Sequence, residues 1–220
     1  MPGVVRVPNI GHPEHVSVES TYWNHNTAFH SEIVRRCSST AGPILDVGCG
    51  DGLLVERLSQ SGRQVLGLEP DASTAEHARR RCSALTNVTI VSATWERALL
   101  DAGSFGFISM VATLHHLDIS QALRRAADLL APGGVLYVIG IARLTSRTDY
   151  AHALVSMPRA RVVGVLRREK WPVDMNTKGP EMGYSQVRRE AVAVLPGARV
   201  RRRPYYRFSV DWRKPAAARA

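Results

Sequence analysis

Apolar and polar positions alternate in blocks between residues 43 and 142, and the blocks predict strands that alternate with helices. Five short apolar runs are typical of buried strands: residues 43–48, 64–70, 88–93, 105–112 and 135–142. Three segments between them have the spacing of amphipathic helices: residues 53–62, 71–82 and 118–134. This order favours the α/β class, in which helices cover both faces of a mainly parallel sheet.

The alternation weakens after residue 142. Residues 147–157 and 184–195 have helical spacing, and residues 204–212 have the alternating pattern of a closing strand. Residues 158–183 contain several Pro and Gly residues and predict a loop-rich insertion. We therefore expect a regular core followed by less regular C-terminal elements.

The composition is that of a globular protein. The 220 residues are 45% hydrophobic, and the longest apolar run, near residues 133–142, is too short to span a bilayer. The chain has three cysteines, Cys37, Cys49 and Cys82. This odd number and the absence of CxxC spacing disfavour a disulfide framework or a zinc site. No leader sequence is recognisable, and we expect a cytoplasmic protein that does not associate with a membrane. We expect a monomer or a homodimer.

The net charge of +10 is concentrated in the C-terminal third. Residues 1–140 carry 11 Lys/Arg against 13 Asp/Glu, whereas residues 141–220 carry 18 against 6. Such a basic region attracts an acidic substrate or a nucleic acid, or it is simply an arginine-rich, solvated surface.

The strongest local signal is the segment LDVGCGDG, residues 45–52. Gly48, Gly50 and Gly52 follow a predicted strand and open a predicted helix, so the backbone there can approach a ligand closely. The G-x-G-x-G spacing differs from both the dinucleotide-binding fingerprint and the GK[ST] phosphate loop. Glu69 ends the second strand, where a carboxylate can accept hydrogen bonds from both hydroxyls of a ribose. A surface glutamate is the simpler alternative.

Four segments together resemble the class I S-adenosylmethionine-dependent methyltransferases of the small-molecule type: ILDVGCGDG, LGLEPD, FGFISMVATLHHL and LLAPGGVLYVIG. The resemblance covers residues 42–142 firmly and the flanks loosely. It implies an α/β, Rossmann-like seven-stranded sheet with helices on both faces and an antiparallel last strand. It also implies one domain in four parts: an N-terminal helical lid (1–41), a cofactor-binding core (42–142), an insertion with helices (143–198) and closing strands (199–220).

The resemblance implies S-adenosylmethionine as the cofactor and assigns its contacts residue by residue. Gly48 and Gly50 would pass under the methionine moiety, and Asp46 would hold its amino group directly or through water. Glu69 would take the ribose diol. The remaining members of the expected cofactor-binding set are Cys49, Pro70, Thr94, Trp95 and Val111.

Two positions depart from the family pattern. Thr94 stands where an acidic residue often contacts the adenine amino group, and its hydroxyl can still accept a hydrogen bond. Trp95 beside it is expected either to stack on the adenine or to pack in the core. Gly106 replaces an acidic residue in the fourth strand, which we expect to remove a structural contact and leave the chemistry unchanged.

The segment TLHHLD, residues 113–118, follows the fourth strand at its carboxyl end, where ligands bind in open parallel sheets. His115 and His116 are therefore the candidate catalytic residues, as a base or as groups that orient the acceptor. A helix cap or packing against the cofactor is the alternative for each. Methyl transfer from a sulfonium is an in-line displacement that mainly requires alignment, so a base is not obligatory. No third ligand has metal-binding spacing, and we expect no metal.

Three functions remain open from the sequence. The first is methylation of an oxygen or nitrogen of a small molecule, which fits the size of the chain and the histidine pair. The second is methylation of tRNA or rRNA, for which the basic residues near the C-terminus are the observation: Arg199, Arg201, Arg202, Arg203 and Arg207, beside Tyr205 and Tyr206. The third is a methyltransferase-like fold that binds without catalysis, against which the intact glycine turn and Glu69 argue.

The segment TYWNHNTAFH, residues 21–30, is rich in aromatic and amide side chains. We expect it to close over the cofactor, with Phe29 and Ile33 packed on the sheet at helical spacing. A polar surface helix is the alternative. The expected substrate-binding residues are those that flank the acceptor site on its two sides: Tyr22, His25, Asn26, Tyr150 and Tyr184.

Overall fold

The computed structural model describes residues 22–151, 154, 165–166 and 179–216. The strands are β1 (Ile44–Val47), β2 (Val65–Leu68), β3 (Val88–Val91), β4 (Phe105–Val111), β5 (Leu130–Ile141), β6 (Arg199–Arg203) and β7 (Arg207–Arg213). The helices are α1 (His30–Cys37), α2 (Leu53–Ser59), α3 (Ala72–Arg81), α4 (Ile119–Leu129) and α5 (Tyr184–Val194). Short 3-10 helices lie at Thr27–Phe29 and Leu114–His116, and a further helical turn begins at Arg147.

The strands of the described chain form one seven-stranded sheet in the order β3-β2-β1-β4-β5-β7-β6. Strands β1 to β5 pair in parallel, and β7 pairs antiparallel with both β5 and β6. This topology confirms the expected Rossmann-like sheet with an antiparallel last strand. The carboxyl ends of β1, β4 and β5 share one edge of the sheet, which is the edge where ligands bind in open α/β folds.

Side chains of the central strands are buried on both faces of the sheet, which explains their uninterrupted apolar sequence. Leu45 and Ile108 belong to the core cluster that includes residues of α4 and α5. Ile44 and Phe107 belong to the cluster on the other face, with residues of α1 and α2. All four are fully buried. Helices therefore cover both faces of the sheet, as expected.

Two predicted boundaries are wrong. The helix expected over residues 118–134 ends at Leu129, and the Pro-Gly-Gly segment belongs to β5. Lys214 holds this segment: its backbone N–H donates to the Gly134 carbonyl, and Gly133 N–H donates back to the Lys214 carbonyl. The single strand expected over 204–212 is a hairpin, in which residues 204–206 form the turn between β6 and β7. Most of the expected insertion, 158–183, lies outside the described residues.

The N-terminal segment begins with a self-contained cap. The Asn24 side-chain oxygen accepts hydrogen bonds from the backbone N–H groups of Asn26 and Thr27, both at 2.9 Å. The Thr27 hydroxyl in turn accepts from the Asn24 N–H at 2.8 Å. These bonds start the 3-10 helix that leads into α1. Phe29 and Ile33 are buried against the sheet, as their spacing predicts.

Across residues 22–151 and 179–216, we find no helix with the length and apolar character needed to cross a membrane.

Candidate active site

The first two glycines of the turn after β1 share a left-handed backbone but differ in the space beside them. Gly48 has a φ of +69°, and an added Cβ would lie 2.3 Å from the Thr113 hydroxyl oxygen. Gly50 has a φ of +57°, and an added Cβ would meet nothing within 4 Å. Both need glycine because the left-handed region disfavours other residues. Gly48 therefore permits close packing against the segment after β4, whereas Gly50 borders open space.

The glycine turn is fixed to the end of β2 by Glu69. Its two carboxylate oxygens accept hydrogen bonds from the Gly50 N–H at 2.9 Å and the Asp71 N–H at 3.1 Å. The side chain is buried, and this burial raises its pKa, against which the two backbone N–H bonds act. Each oxygen keeps a second lone pair for a ligand hydroxyl. The geometry is compatible with the ribose role, which stays a prediction.

Asp46 lies beneath the turn as a buried carboxyl group. It is 2% exposed, and Oδ1 accepts a hydrogen bond from the Ser109 hydroxyl at 2.7 Å. Burial raises the pKa of Asp46 to about 7; the Ser109 bond opposes this shift and the nearby Glu69 charge adds to it. A cation placed next to Asp46 would favour its ionised form.

We expect the raised pKa of Asp46 to make the ligand-free protein more stable as the pH falls. An unfolded aspartate has a pKa of about 3.9, so the folded state binds this proton more tightly between that value and about pH 7. The contribution is complete below the unfolded pKa and is lost as the pH rises through about 7. Denaturant unfolding at about pH 6 and about pH 8 measures it. Asp46→Asn is the control, and an identical pH slope in wild type and variant would contradict the prediction.

A cavity of about 590 Å³, here called the glycine-turn cavity, opens above the turn. It brings together six residues that were expected to bind cofactor or substrate: Tyr22, Asn26, Gly48, Cys49, Gly50 and Val111. The N-terminal segment supplies one wall and the β1–α2 turn the other.

The cavity wall also contains His30, which ends the segment expected to close over the cofactor but was not named individually as a site residue. His30 is 5% exposed, and its buried Nδ1 has no hydrogen-bond partner among the described residues. Burial lowers its pKa to about 3, so the ring is neutral at physiological pH. The only sequence signal was its place at the end of the polar segment 21–30, where α1 begins.

Tyr22 connects the N-terminal segment to the glycine turn. Its hydroxyl donates to Asp51 Oδ1 at 3.1 Å, and Asp51 Oδ2 pairs with Arg81 of α3 at 2.9 Å. Both members of the Arg81–Asp51 pair are largely buried. Burial, followed by the Asp51 charge, raises the pKa of Tyr22. One side of the segment is thus anchored to α3 through a shared carboxylate.

His115 and His116 lie in the 3-10 helix after β4, with ring centroids 3.9 Å apart. His115 is half-buried and lines a second cavity of about 380 Å³, here called the histidine cavity, with Ile141, Met182 and Phe208 among its walls. His116 is exposed. The pair therefore divides between an enclosed and a solvent-facing position.

The N-terminal segment also contacts the β6–β7 turn. His25 stacks on Tyr205 with ring centroids 4.6 Å apart, and Trp23 meets both rings edge-on. Tyr205 and Tyr206 have φ values of 60° and 56°, a left-handed conformation that costs about 1–2 kcal/mol for each residue. The stacked rings hold this strained turn in place.

Asp46 and Glu69 border the glycine turn but do not line either cavity. Five further expected residues also lie outside both cavities. Trp95 is 5% exposed and sits in the core with the Arg125 guanidinium 4.9 Å from its ring, which favours the packing alternative. Thr94 and Pro70 are exposed. Tyr150 is 61% exposed. Tyr184 is half-buried with the Arg202 guanidinium 4.0 Å above its ring.

Within the described ranges, no three His, Cys, Asp or Glu side chains are grouped so as to hold a metal ion.

Comparison with known sequences identifies one family. A family model described as a methyltransferase domain matches residues 45–138. An uncharacterised methyltransferase of Mycobacterium tuberculosis (strain ATCC 25618 / H37Rv) is 32% identical over 200 residues, which are 88% of this chain and 98% of that protein. A ubiquinone biosynthesis O-methyltransferase of Chelativorans sp. (strain BNC1) is 34% identical over 102 residues, 46% of this chain and 40% of that protein.

Solved structures share the fold at low sequence identity. An S-adenosylmethionine-dependent methyltransferase from Aquifex aeolicus matches with a TM-score of 0.59 and 17% identity, covering 84% of this chain and 88% of that one. A phosphoethanolamine N-methyltransferase of Haemonchus contortus, solved with S-adenosyl-L-methionine, matches with a TM-score of 0.56 and 17% identity. The match covers 80% of this chain and 38% of that one.

Proposed function

The chain belongs to the class I S-adenosylmethionine-dependent methyltransferases, and we propose that it methylates an oxygen or nitrogen of a small molecule by in-line displacement. The observation that carries the small-molecule assignment is the histidine cavity. It is partly enclosed, its walls are largely apolar, and it lies beside the carboxyl ends of β4 and β5.

The glycine turn and the strand ends beside it carry side chains that fit the cofactor. Asp46 is a buried carboxyl group without a cationic partner in the described contacts, and it suits the cofactor's amino group. Gly50 borders space that a Cβ would fill, and Glu69 presents its carboxylate at the same turn. When bound, S-adenosylmethionine supplies a methyl group on a sulfonium that is already activated.

The protein's own residues then have two tasks. Tyr22 and Asn26 of the N-terminal segment cover the glycine-turn cavity and exclude water from it. His115 lines the histidine cavity, where its imidazole would orient the acceptor and accept its proton. Neither task requires a metal ion.

We expect His115→Ala to lower turnover by about 100-fold, because it removes the candidate base from the enclosed cavity. His116→Ala is the matched control: it removes the same ring one position away, at an exposed site. Both variants should bind S-adenosylhomocysteine with wild-type affinity in calorimetry. Equal turnover of wild type and His115→Ala would show that this histidine is not a base.

Methylation of tRNA or rRNA is the alternative, and the arginine contacts disfavour it. Three of the five arginines near the C-terminus are engaged within the molecule: Arg202 with Asp149, Arg203 with Glu32 and Arg207 with Asn26. Arg199 and Arg201 are exposed on β6. Of these five arginines, only these two are left for contacts with a polyanion.

The test is transfer of labelled methyl groups to bulk tRNA and, in parallel, to a panel of phenols and amines. We expect labelling of at least one small acceptor and none of tRNA. Labelled tRNA with an unlabelled panel would replace the proposal by the alternative. Any RNA binding should weaken as salt rises if it depends on phosphate contacts.

A further inference from the structure

A third cavity, here called the arginine cavity, lies where the sheet turns from parallel to antiparallel. It is a cleft open to solvent, with about 340 Å³ of space between the segment after β5, the N-terminal end of α5 and the β6–β7 hairpin. Four arginines contribute to its walls: Arg143, Arg202, Arg203 and Arg207. Asp149 is the one carboxylate among its described wall residues. The walls thus carry a clear excess of positive charge.

The guanidinium groups are arranged around this space by neighbouring side chains. Arg202 pairs with the buried Asp149 and lies 4.0 Å above the Tyr184 ring. Arg203 pairs with Glu32, while its buried Nε has no acceptor among the described residues. Arg143 is exposed at the rim, and the structure gives its guanidinium no ion pair within the described chain. The Arg143 guanidinium at the rim therefore remains as a donor group without an ion-pair partner among the described residues.

The arginine cavity is linked to the glycine-turn cavity by one side-chain pair. Arg207 lines the arginine cavity, and its Nη2 and Nε donate to Asn26 Oδ1 at 2.8 and 3.2 Å. Asn26 lines the glycine-turn cavity. Phe208, the next residue, borders both the arginine cavity and the histidine cavity. The arginine cavity therefore neighbours each of the other two cavities near the carboxyl edge of the sheet.

We propose that the arginine cavity binds an anionic group, a carboxylate or a phosphate, on the small molecule that the enzyme methylates. This inference rests on the proposed function and names the substrate class more narrowly. Guanidinium groups bind planar carboxylates and phosphates with paired hydrogen bonds, and a concave site shields those bonds from solvent. An acceptor held here by its anionic end would extend past Phe208 towards His115.

A small anion suits this site better than a nucleic acid. Three of the four arginines that line the cavity are paired within the molecule, with Asp149, Glu32 and Asn26. A polyanion would instead need a row of cations on an open surface. The exposed positions of β6, Arg199 and Arg201, supply such a row only in part.

The test uses the full chain saturated with S-adenosylhomocysteine, titrated by calorimetry with benzoate, phenyl phosphate and the neutral analogue benzamide. We expect saturable binding of at least one anion, and benzamide binding at least about tenfold weaker. Arg143→Gln should weaken the anion by about tenfold and leave benzamide unchanged. Arg143→Lys, which keeps the charge but loses the planar fork, should fall between the two. A tighter fit of benzoate or of phenyl phosphate identifies the anionic group.

Arg201→Gln is the matched control, because it removes the same charge from the exposed face of β6. It should leave anion binding unchanged. Anions that bind no better than benzamide, or that weaken equally in Arg143→Gln and Arg201→Gln, would overturn the proposal. So would binding of a tRNA transcript that depends on Arg201 and not on Arg143. Binding of S-adenosylhomocysteine and methyl transfer to neutral acceptors are measured separately, so the proposed function can stand if the anion site fails.

Discussion

Gly50→Val is expected to weaken binding of S-adenosylhomocysteine by about 100-fold or more, because the new side chain would occupy the glycine-turn cavity. The open space beside Gly50 makes this a direct steric test. Replacement of Gly48 is less informative, since its Cβ would also collide with Thr113 and disturb the fold. Calorimetric titration of the purified variant gives the affinity.

Gly103→Val is the matched control for this substitution. Gly103 has a φ of +70°, close to the +57° of Gly50, and its Cβ would also meet nothing within 4 Å. Both variants should lose about 1–2 kcal/mol of unfolding free energy from backbone strain. Gly103 lies in the loop before β4, outside the cavity walls, so its variant should keep wild-type affinity. Equal affinities of the two variants for S-adenosylhomocysteine would show that the cofactor does not bind in this cavity.

Asp46→Asn is expected to change binding and stability in opposite directions. Loss of the carboxylate should lower the affinity for S-adenosylmethionine by roughly 10- to 100-fold, since a charged hydrogen bond to its amino group is lost. The ligand-free variant should nevertheless be more stable than wild type at about pH 8, because a buried charge is removed. Calorimetry and denaturant unfolding measure the two effects.

Ser109→Ala serves as the companion variant. It removes the hydroxyl that donates to Asp46, so the buried carboxylate loses its described hydrogen bond and the ligand-free protein should become less stable. An Asp46→Asn variant that is destabilised like Ser109→Ala, with unchanged cofactor affinity, would mean that Asp46 has a structural role alone.

The order of strands and helices was predictable because it depends on local patterns. Buried parallel strands need continuous apolar runs, and Asp71 and Asp118 cap their helices through hydrogen bonds to the N–H groups three residues on. The end of α4 was not predictable from its own sequence. Its Pro-Gly-Gly segment joins β5 because Lys214, about 80 residues away, supplies the backbone partners.

The candidate site divides in the same way. The sequence predicted which residues meet at the glycine turn. Asp46, Gly48 and Gly50 lie in one short motif, and Glu69 follows the next strand, so their spacing places them together. The individual role of His30 and the contacts of the β6–β7 hairpin were not predicted. The hairpin meets residues 23–26 across about 180 positions of chain, and no local pattern records that contact.

At Gly106 the sequence revealed a missing side chain but not what replaces it. The sequence showed that an acidic side chain was missing from this strand, and the structure shows what takes the space. An added Cβ would lie 1.4 Å from the Ala41 carbonyl oxygen, while Arg63 donates to the carbonyls of Gly42 and Cys37 nearby. Backbone therefore fills the volume of the absent side chain.

The central claim is that the glycine turn and the N-terminal segment together enclose the cofactor. Amide hydrogen exchange with and without S-adenosylhomocysteine tests it most directly. The predicted result is slower exchange in peptides covering residues 22–30 and 48–54, with little change in β3 at the far edge of the sheet. Saturating ligand that leaves both peptides unprotected, or protects only the β6–β7 hairpin, would contradict the claim.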